Sequence, residues 1–470
     1  MNIQAIEQII GVDLSEHMLR AKKVKLVRDY YQGNHRDMLT ENMRKRLRLN
    51  ASQTITANWI PLIVHNEAAR IMVLTITADN PMASEWATYI LEHNNFMTLQ
   101  NAVHTFAILD GDSFVRLSYD LERDLPILNF ERAFDGEDGT FMIYNGEQPY
   151  VAVKIEKILV RMNGRGESAK RIDLFFTDRV ERYLEHRGQI EPYTFEGPST
   201  VPLPSIDGVP IGVPFAHFRN RRLGLYGKSE VEPVLGLQDM YNRTLASWLS
   251  AIEASGFPNR LAIGWNPSEI GALEPGDWIV AAPTGLDKDK IVEMKIIQPG
   301  DVLQLRDALK AIARIISNVT STSAPEFFDS DSVSGDAQEA RQTALLVKCY
   351  AFQREAHASW ARVMDTAWAL QSIYSRNKPP DTSRWVIEFS PIGIRKESEV
   401  VNSAVQAYST GALSRRAFLE AVRSVFSWTP ADIERILQER NQEAREDLEI
   451  GRKPHEFADM RTPSPKNIVE

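Results

Sequence analysis

The stretch 229–256, SEVEPVLGLQDMYNRTLASWLSAIEASG, reads as one long helix, and the rest of the chain has to be arranged around it. Ser229 can cap it, and Glu232, three residues on, can reach back to the cap, the pattern of a capping box. Pro233 falls in the first turn, where a missing N–H costs least. Val234, Leu237, Tyr241, Leu245, Trp248 and Ile252 then recur in steps of three and four, which puts them on one face. Gly256 and Pro258 end the run. At about 1.5 Å per residue the rod is roughly 40 Å long, the width of a small domain. A partner rod is predicted over 301–320, with Val302, Leu305, Leu309, Ile312, Ile316 and Val319 on one stripe. Only a short module rich in Gly, Pro and β-like runs lies between them. Such a hairpin is too thin to bury its own faces, so neighbouring subunits are expected to cover them.

At 470 residues the chain can hold two to four domains, each with its own core. Apolar runs such as 71–76 are far short of a membrane span, and the N-terminus carries acids where a secretory signal needs a basic region. The one cysteine, Cys349, rules out an intrachain disulfide and fits a reducing compartment; mid-helix, it reads as a small buried apolar residue. A net charge of −9 speaks against a sequence-independent grip on DNA spread over the whole surface.

In chain order, residues 1–50 read as helical and end in the basic run Arg44-Lys45-Arg46-Leu47-Arg48, either a solvated face, a subunit contact or a nucleic-acid patch. Helices are predicted over 58–71 and 82–110. Asp110-Gly111-Asp112 invites a metal reading but fits a helix-to-strand turn better. From 113 to 186 the pattern alternates, with a hairpin turn at Asn163-Gly164. The Pro-, Gly- and Ser-dense stretch 188–214 reads as a surface loop. After the first rod, 260–265 and 277–282 look like strands, with a helical turn near 267–271; Trp265 and Trp278 fall there as core or contact residues. Lys288, Lys290 and Lys295 face Asp287, Asp289 and Glu293 in a charge-mixed stretch. The segment 321–338 has no periodicity, and its Asp329-Ser330-Asp331 lacks the glycine loop a metal–phosphate site would need. A very long Ala-rich helix is expected over 336–376, a strand over 385–390, and helices over 396–448, where Thr429, Pro430 and Asp432 mark a start. The tail after Gly451 reads as mobile. The fold class is α+β, mainly helical.

The run GLYGKSEVEPVLGLQDMYNRTLASWLSAIEASGFPNRLAIG resembles the stem of the tailed-bacteriophage portal proteins, in particular the siphophage family with a Gp6-like portal. DYYQGNH, NWIPLIVHNEAARI and DSDSVSGDAQEAR match in order, so the resemblance covers most of 20–445. It implies a portal architecture: wing (1–224 and 339–395), first stem helix (225–257), clip (258–299), second stem helix (300–320), tunnel loop (321–338), crown (396–450) and a flexible tail (451–470). It implies a dodecameric ring at one capsid vertex of the virion, assembled in the host cytoplasm. Double-stranded DNA would pass through its channel during packaging and ejection. The implied protein partners are the major capsid protein, the terminase large subunit and then a head–tail adaptor or neck protein. Glu326, Phe327, Phe328, Asp329 and Asp331 would face the channel; Trp265, Trp278, Lys288 and Lys290 would form the clip's partner surface.

No phosphate loop, nucleophile elbow, zinc motif or Cys/His cluster occurs in the sequence, so no enzyme activity, cofactor or metal is expected. Another head–tail connector, or a minor capsid scaffold without a channel, is the alternative. Two rods flanking a β module separate a portal from a neck adaptor of this length.

Overall fold

The computed structural model describes residues 3–162, 165–195, 197–222, 224–256, 260–263, 278–281, 293–296, 302–322, 335–382, 384–391, 397–423, 425–426, 428 and 430–449. Its N-terminal part holds α1 (Ile3–Ile10), α2 (Ser15–Tyr31), α3 (Glu41–Arg46), α4 (Ile60–Ala68), β1 (Val73–Ala78), α5 (Pro81–His93) and α6 (Phe96–Asp110). Strands follow: β2 (Asp112–Asp120), β3 (Leu125–Arg132), β4 (Gly139–Asn145), β5 (Gln148–Met162), β6 (Arg165–Phe175), β7 (Arg179–His186), β8 (Gln189–Pro192) and β9 (Thr200–Pro202). The short β10 (Ser205–Ile206) and β11 (Val209–Pro210) pair with each other, and β12 (Phe215–Arg219) closes the series. A 3₁₀ turn over Glu232–Val234 leads into α7 (Leu235–Gly256). Beyond it lie β13 (Arg260–Ile263), β14 (Trp278–Ala281), β15 (Glu293–Ile296), α8 (Val302–Thr320), α9 (Gly335–Tyr374) and β16 (Trp385–Phe389). Three helices end the described chain: α10 (Glu397–Ser409), α11 (Arg415–Val422) and α12 (Pro430–Glu449).

The chain divides into two compact units, 1–392 and 393–470. The main core of the first is built on the long α9, whose Trp360, Val363, Met364 and Ala367 are fully buried. Trp360 donates from its indole to His104 Nε2 at 3.1 Å, and His104 Nδ1 donates to the Ile71 carbonyl at 2.6 Å. Burial holds His104 down at about 4, so the ring stays neutral and both bonds persist. Onto this core pack α4, α6, the β12-β2-β3 sheet, the β1-β16 pair and the roots of α7 and α8. A separate sheet in the order β4-β5-β6-β7-β8, with β9 pairing β7, lays one face against Ile6, Ile10 and Leu14 from the N-terminal segment. Its β5 and β6 pair antiparallel up to Met162 and Arg165, the residues on either side of the Asn-Gly pair that predicts a hairpin.

Several boundaries differ from expectation. The helix expected over 82–110 is two, because Asn95 adopts a left-handed conformation (φ 49°) and Asn94 spends its side chain on the carbonyls of Ile90 and Pro126 and the amide of Leu128. Asn is among the few residues that visit that region cheaply. The loop expected over 188–214 carries four short strands. The module between the rods has a third strand, β15, antiparallel to β13, while β14 runs parallel to it. The capping box is half made. Ser229 Oγ accepts from the amides of Val231 and Glu232, but the Glu232 carboxylate goes to Lys23 at 2.7 Å and not back to the cap.

The second unit is a small helical body in which Ala404, Leu419, Val422 and Ile433 are buried. Arg416 pairs with Glu434 at 2.5 Å, tying α11 to α12.

The approach to α7 is set by backbone contact. Gly111 turns the chain from α6 into β2 at φ 95°, and its carbonyl accepts the amide of Asn220 at 2.9 Å. A Cβ on Gly227 would stand 1.9 Å from that same carbonyl oxygen and 2.7 Å from the Asn220 carbonyl oxygen. No side chain fits without moving two backbone segments. Gly227→Ala is therefore expected to cost at least the ~1–3 kcal/mol of an overpacked core, read as a drop in the thermal midpoint; an unchanged midpoint would show that the two segments can part freely.

Candidate functional site

The sequence directs attention to the two rods, and the structure shows what fixes them. Val234, in the 3₁₀ turn, and Tyr241 of α7 are buried in the main core, and Leu237, Leu245 and Trp248 of α7 pack against it half-buried. From α8, Leu309, Ile312 and Ile316 are buried in the same core, and Leu305 is half-buried. The two helices lie side by side. Trp248, on that face, is half-buried in the single chain, and its shielded indole N–H finds no acceptor among the described residues. Ile252 is exposed in the single chain, as are Met240, Leu303, Ile315 and Val319. On α7 the stripe passes from buried at Val234 and Tyr241 to exposed at Ile252, and on α8 it is buried at Leu309, Ile312 and Ile316 and exposed at Val319.

A buried charge cluster locks the roots. Lys348 Nζ, on α9, lies 2.8 Å from Glu67 Oε2 of α4 and 2.8 Å from Glu230 Oε1, just ahead of α7. The same ammonium donates to the Thr320 carbonyl at the end of α8, at 2.7 Å. Arg221 Nε meets the other Glu230 oxygen at 2.9 Å from the surface side. Both carboxylates are fully enclosed and Lys348 is 8 % exposed. Burial, the largest influence, pushes the Glu67 carboxyl from 4.5 up to about 7 against the pull of Lys348, and the charge of Glu230 adds to the rise. Glu67 Oε1 has no hydrogen-bond donor among the described residues, which suits an oxygen that can carry the proton.

The turn between α6 and β2 supplies a second anchor. Asp110 takes Arg28 in a forked pair, Arg28 Nη2 to Asp110 Oδ2 at 2.6 Å. Asp112 accepts from His217 Nε2 at 2.8 Å and from the Gly227 amide at 2.7 Å, and it pairs with Arg20. Burial alone would raise Asp112, but these partners hold its carboxyl below the ordinary range. Both carboxylates of the Asp-Gly-Asp turn are thus engaged with side chains and backbone. The next residues are sewn down: Lys228 N to the Asn220 carbonyl just after β12 at 2.7 Å, and to α6 by Ser229 Oγ to the Leu109 carbonyl at 2.5 Å and Glu230 N to the Ile108 carbonyl at 3.0 Å.

The third anchor is the Tyr-Tyr-Gln-Gly-Asn-His run. Gly33 (φ 89°) turns the chain after α2, and His35 comes back under Tyr30 with ring centroids 4.8 Å apart. His35 Nε2 donates to the Tyr30 carbonyl at 3.0 Å, and its Nδ1 accepts from Asn242 of α7 at 2.8 Å. Tyr30 donates its hydroxyl to Asp239 at 2.7 Å, and Gln238 bonds the Ala57 carbonyl and the Trp59 amide. His35 is structural, with its role fixed by two ring bonds. Sequence reasoning passed over Gln238, Asp239 and Asn242; three polar residues on a helix that also buries Tyr241 were the available signal. In the basic run, Arg44 bonds the carbonyls of Asn50 and Gln53 and pairs with Asp37, while Lys45 pairs with Glu41.

Of the other expected site residues, Trp278 opens β14, and nothing is described of its side chain. Trp265, Lys288, Lys290, Glu326, Phe327, Phe328, Asp329 and Asp331 lie outside the described residues, as does the tail. Cys349 is buried against the core, and burial pushes its thiol up to about 12, so it is inert. Among the described residues no group of His, Cys, Asp and Glu could hold a metal ion, and no described helix is long and apolar enough to cross a membrane.

Removing the cation at the roots leaves two carboxylates buried together. Lys348→Met is expected to cost about 3–5 kcal/mol near neutral pH. The sign with pH follows from Glu67. Its folded value lies above its unfolded one, so its contribution to stability is full below about 4.5 and lost as pH rises through about 7. Without Lys348 that rise grows, so the variant's deficit in thermal unfolding should be larger at pH about 8 than at about 5.5. Equal deficits at both would show that Glu67 does not carry the strain.

The chain is similar to two solved particle necks. One, the neck of the native GTA particle computed with C12 symmetry, shares 15% identity over 77% of this chain and 87% of that one, with a TM-score of 0.39. The other, the neck of the empty GTA particle computed with C6 symmetry, shares 13% identity over the same shares, with a TM-score of 0.44. Scores this low carry no argument of their own. No curated protein matches the chain. The family model "Phage portal protein, SPP1 Gp6-like" matches residues 11–446, nearly the whole sequence and every anchor described above. The chain belongs to the SPP1 Gp6-like family of phage portal proteins.

Proposed function

We propose that the protein forms a closed ring at one vertex of a phage-type capsid, the channel through which double-stranded DNA is packaged and ejected. Family membership across 11–446 carries this reading. The stem supports it: α7 and α8 are fixed at their roots yet leave Met240, Ile252, Leu303, Ile315 and Val319 uncovered, apolar surface that adjacent copies in a ring would bury. In this reading 225–257 and 300–320 are stem, 258–299 clip and 396–450 crown; 1–224 and 339–395 are wing, meeting the major capsid protein. The clip, including Trp265, Trp278, Lys288 and Lys290, docks the terminase large subunit and then a head–tail adaptor. The loop 321–338 forms a low-adhesion collar, its Glu326, Asp329 and Asp331 facing phosphate and Phe327 and Phe328 packing loop to loop or bearing on DNA. Screening over about 8 Å at physiological salt leaves little force on a duplex at the axis. The protein hydrolyses nothing itself; the motor is a separate chain.

Purified protein is expected to give closed rings in negative-stain images, and monomers at every salt and protein concentration would end the reading. Deleting 327–332 should leave rings intact and impair packaging or retention of DNA. Asp329→Lys with Asp331→Lys should slow translocation in a salt-dependent way, since each new cation pairs with phosphate. Normal packaging by both variants would reduce the loop to a connector.

A further inference from the structure

Beside the buried cluster at the stem roots, an open cavity of about 660 Å³ is walled by Arg221, Arg222, Lys228, Lys348 and Arg354, with Glu355 at its edge. Two of these cations have work elsewhere: Lys348 and Arg221 neutralise Glu67 and Glu230. The others do not. Lys228 and Arg354 are exposed and have no acidic partner among the described residues. Arg222 donates to the Gly224 carbonyl at 3.0 Å and reaches one carboxylate, Glu355, at 3.8 Å, and Arg219 approaches that same carboxylate at 3.7 Å. One carboxylate shared between two guanidinium groups leaves a positive surplus on one small concave surface, in a chain whose net charge is −9. Like charges held together repel, and a bound anion relieves that repulsion.

We infer that this cavity is an anion site for the phosphates of a nucleic-acid backbone. Guanidinium forks match phosphate oxygens two at a time, and exposed lysine supplies a point charge. A protein partner would be expected to find apolar anchors, whereas Phe352, the one aromatic in the wall, is buried in the core and offers no grip. The cavity sits where the segment leading into α7 meets α9, so a phosphate held there touches the fixed end of the stem, not its free length. That the phosphates come from DNA rests on the portal reading; the anion chemistry does not.

The test uses the full chain and a short fluorescein-labelled duplex of arbitrary sequence, with affinity read by anisotropy between about 50 and 200 mM salt. The variant carries Arg222→Ala, Lys228→Ala and Arg354→Ala, which spare Lys348 and Arg221 and so leave the stem anchor in place. Binding is expected to weaken about tenfold or more, and the log–log salt slope to fall by about 2–3, close to 0.9 per lost phosphate contact. Unchanged affinity and slope would overturn the site, as would a wild-type protein that binds no duplex at the lowest salt. Mass photometry on the same samples separates the remaining cases. If the variant loses ring assembly while duplex binding holds, the cavity is a contact between copies and the inference fails. If neither protein forms rings yet the binding difference persists, the site stands and the portal reading falls.

Discussion

One ammonium group, that of Lys348, holds the structure's two rods to its body. Its contacts come from α4, from the residue ahead of α7 and from the last carbonyl of α8, all reaching a single point on α9. Buried ion pairs of this kind add little net stability over a well-packed apolar core, because desolvation offsets most of the attraction. Their weight lies in the asymmetry: the pair is tolerable when complete and very costly when broken. An apolar substitute could slide by a methyl group at small cost, whereas a charge flanked by two carboxylates has one position. The cluster therefore fixes where both helices leave the core more than it adds to the depth of the fold.

The same logic governs the turn at Asp110-Gly111-Asp112. Gly111 and Gly227 are in backbone contact, and each flanking carboxylate has its own cation, Arg28 on one side and Arg20 with His217 on the other. Close approach with satisfied polar groups leaves no slack. The clamp from Tyr30, His35, Ala57 and Trp59 onto Gln238, Asp239 and Asn242 then fixes the next turns of α7. Three anchors, drawn from N-terminal, central and late parts of the sequence, thus converge on α7 and the segment leading into it.

How much of this was legible follows from what periodicity can report. The faces of α7 and α8 and the extent of α9 were readable because burial repeats at helical spacing. The β5–β6 hairpin was readable because Asn-Gly has few other uses. Lys348 was not readable: on a helix it looks like any solvated lysine, and its carboxylate partners lie far away in sequence, Glu230 118 positions back. Glu232 misled for a related reason, since a distant Lys23 outbid the local cap. The break at Asn94-Asn95 carried a usable signal, two adjacent residues tolerant of left-handed backbone, but the apolar spacing on either side masked it. β15, reading Glu-Met-Lys-Ile, is too short and too charged for alternation to stand out. Of the expected site residues, those on α7 and α8 are described, while Trp265, Lys288, Lys290, Glu326, Phe327, Phe328, Asp329 and Asp331 lie outside the described residues.

Family membership is visible here without a single chemical motif, and the structure suggests why. Among the described residues, several polar groups that could resemble a catalytic set are engaged as struts. Asp112 and His217 form a pair that, with Tyr144 donating to His217 Nδ1 at 2.6 Å, has the outline of a relay. Its members are enclosed or nearly so, and the chain ends of the relay bind the Gly227 amide and the Tyr144 sheet strand, not open space. His104 is neutral and spent between Trp360 and Ile71. A protein that works by holding shape needs its charged groups inside, locking elements at fixed angles, and can leave apolar stripes outside for its neighbours. Constraint on such a sequence is spread thinly over many packing positions, so order and spacing over 11–446 carry the likeness that no local pattern could.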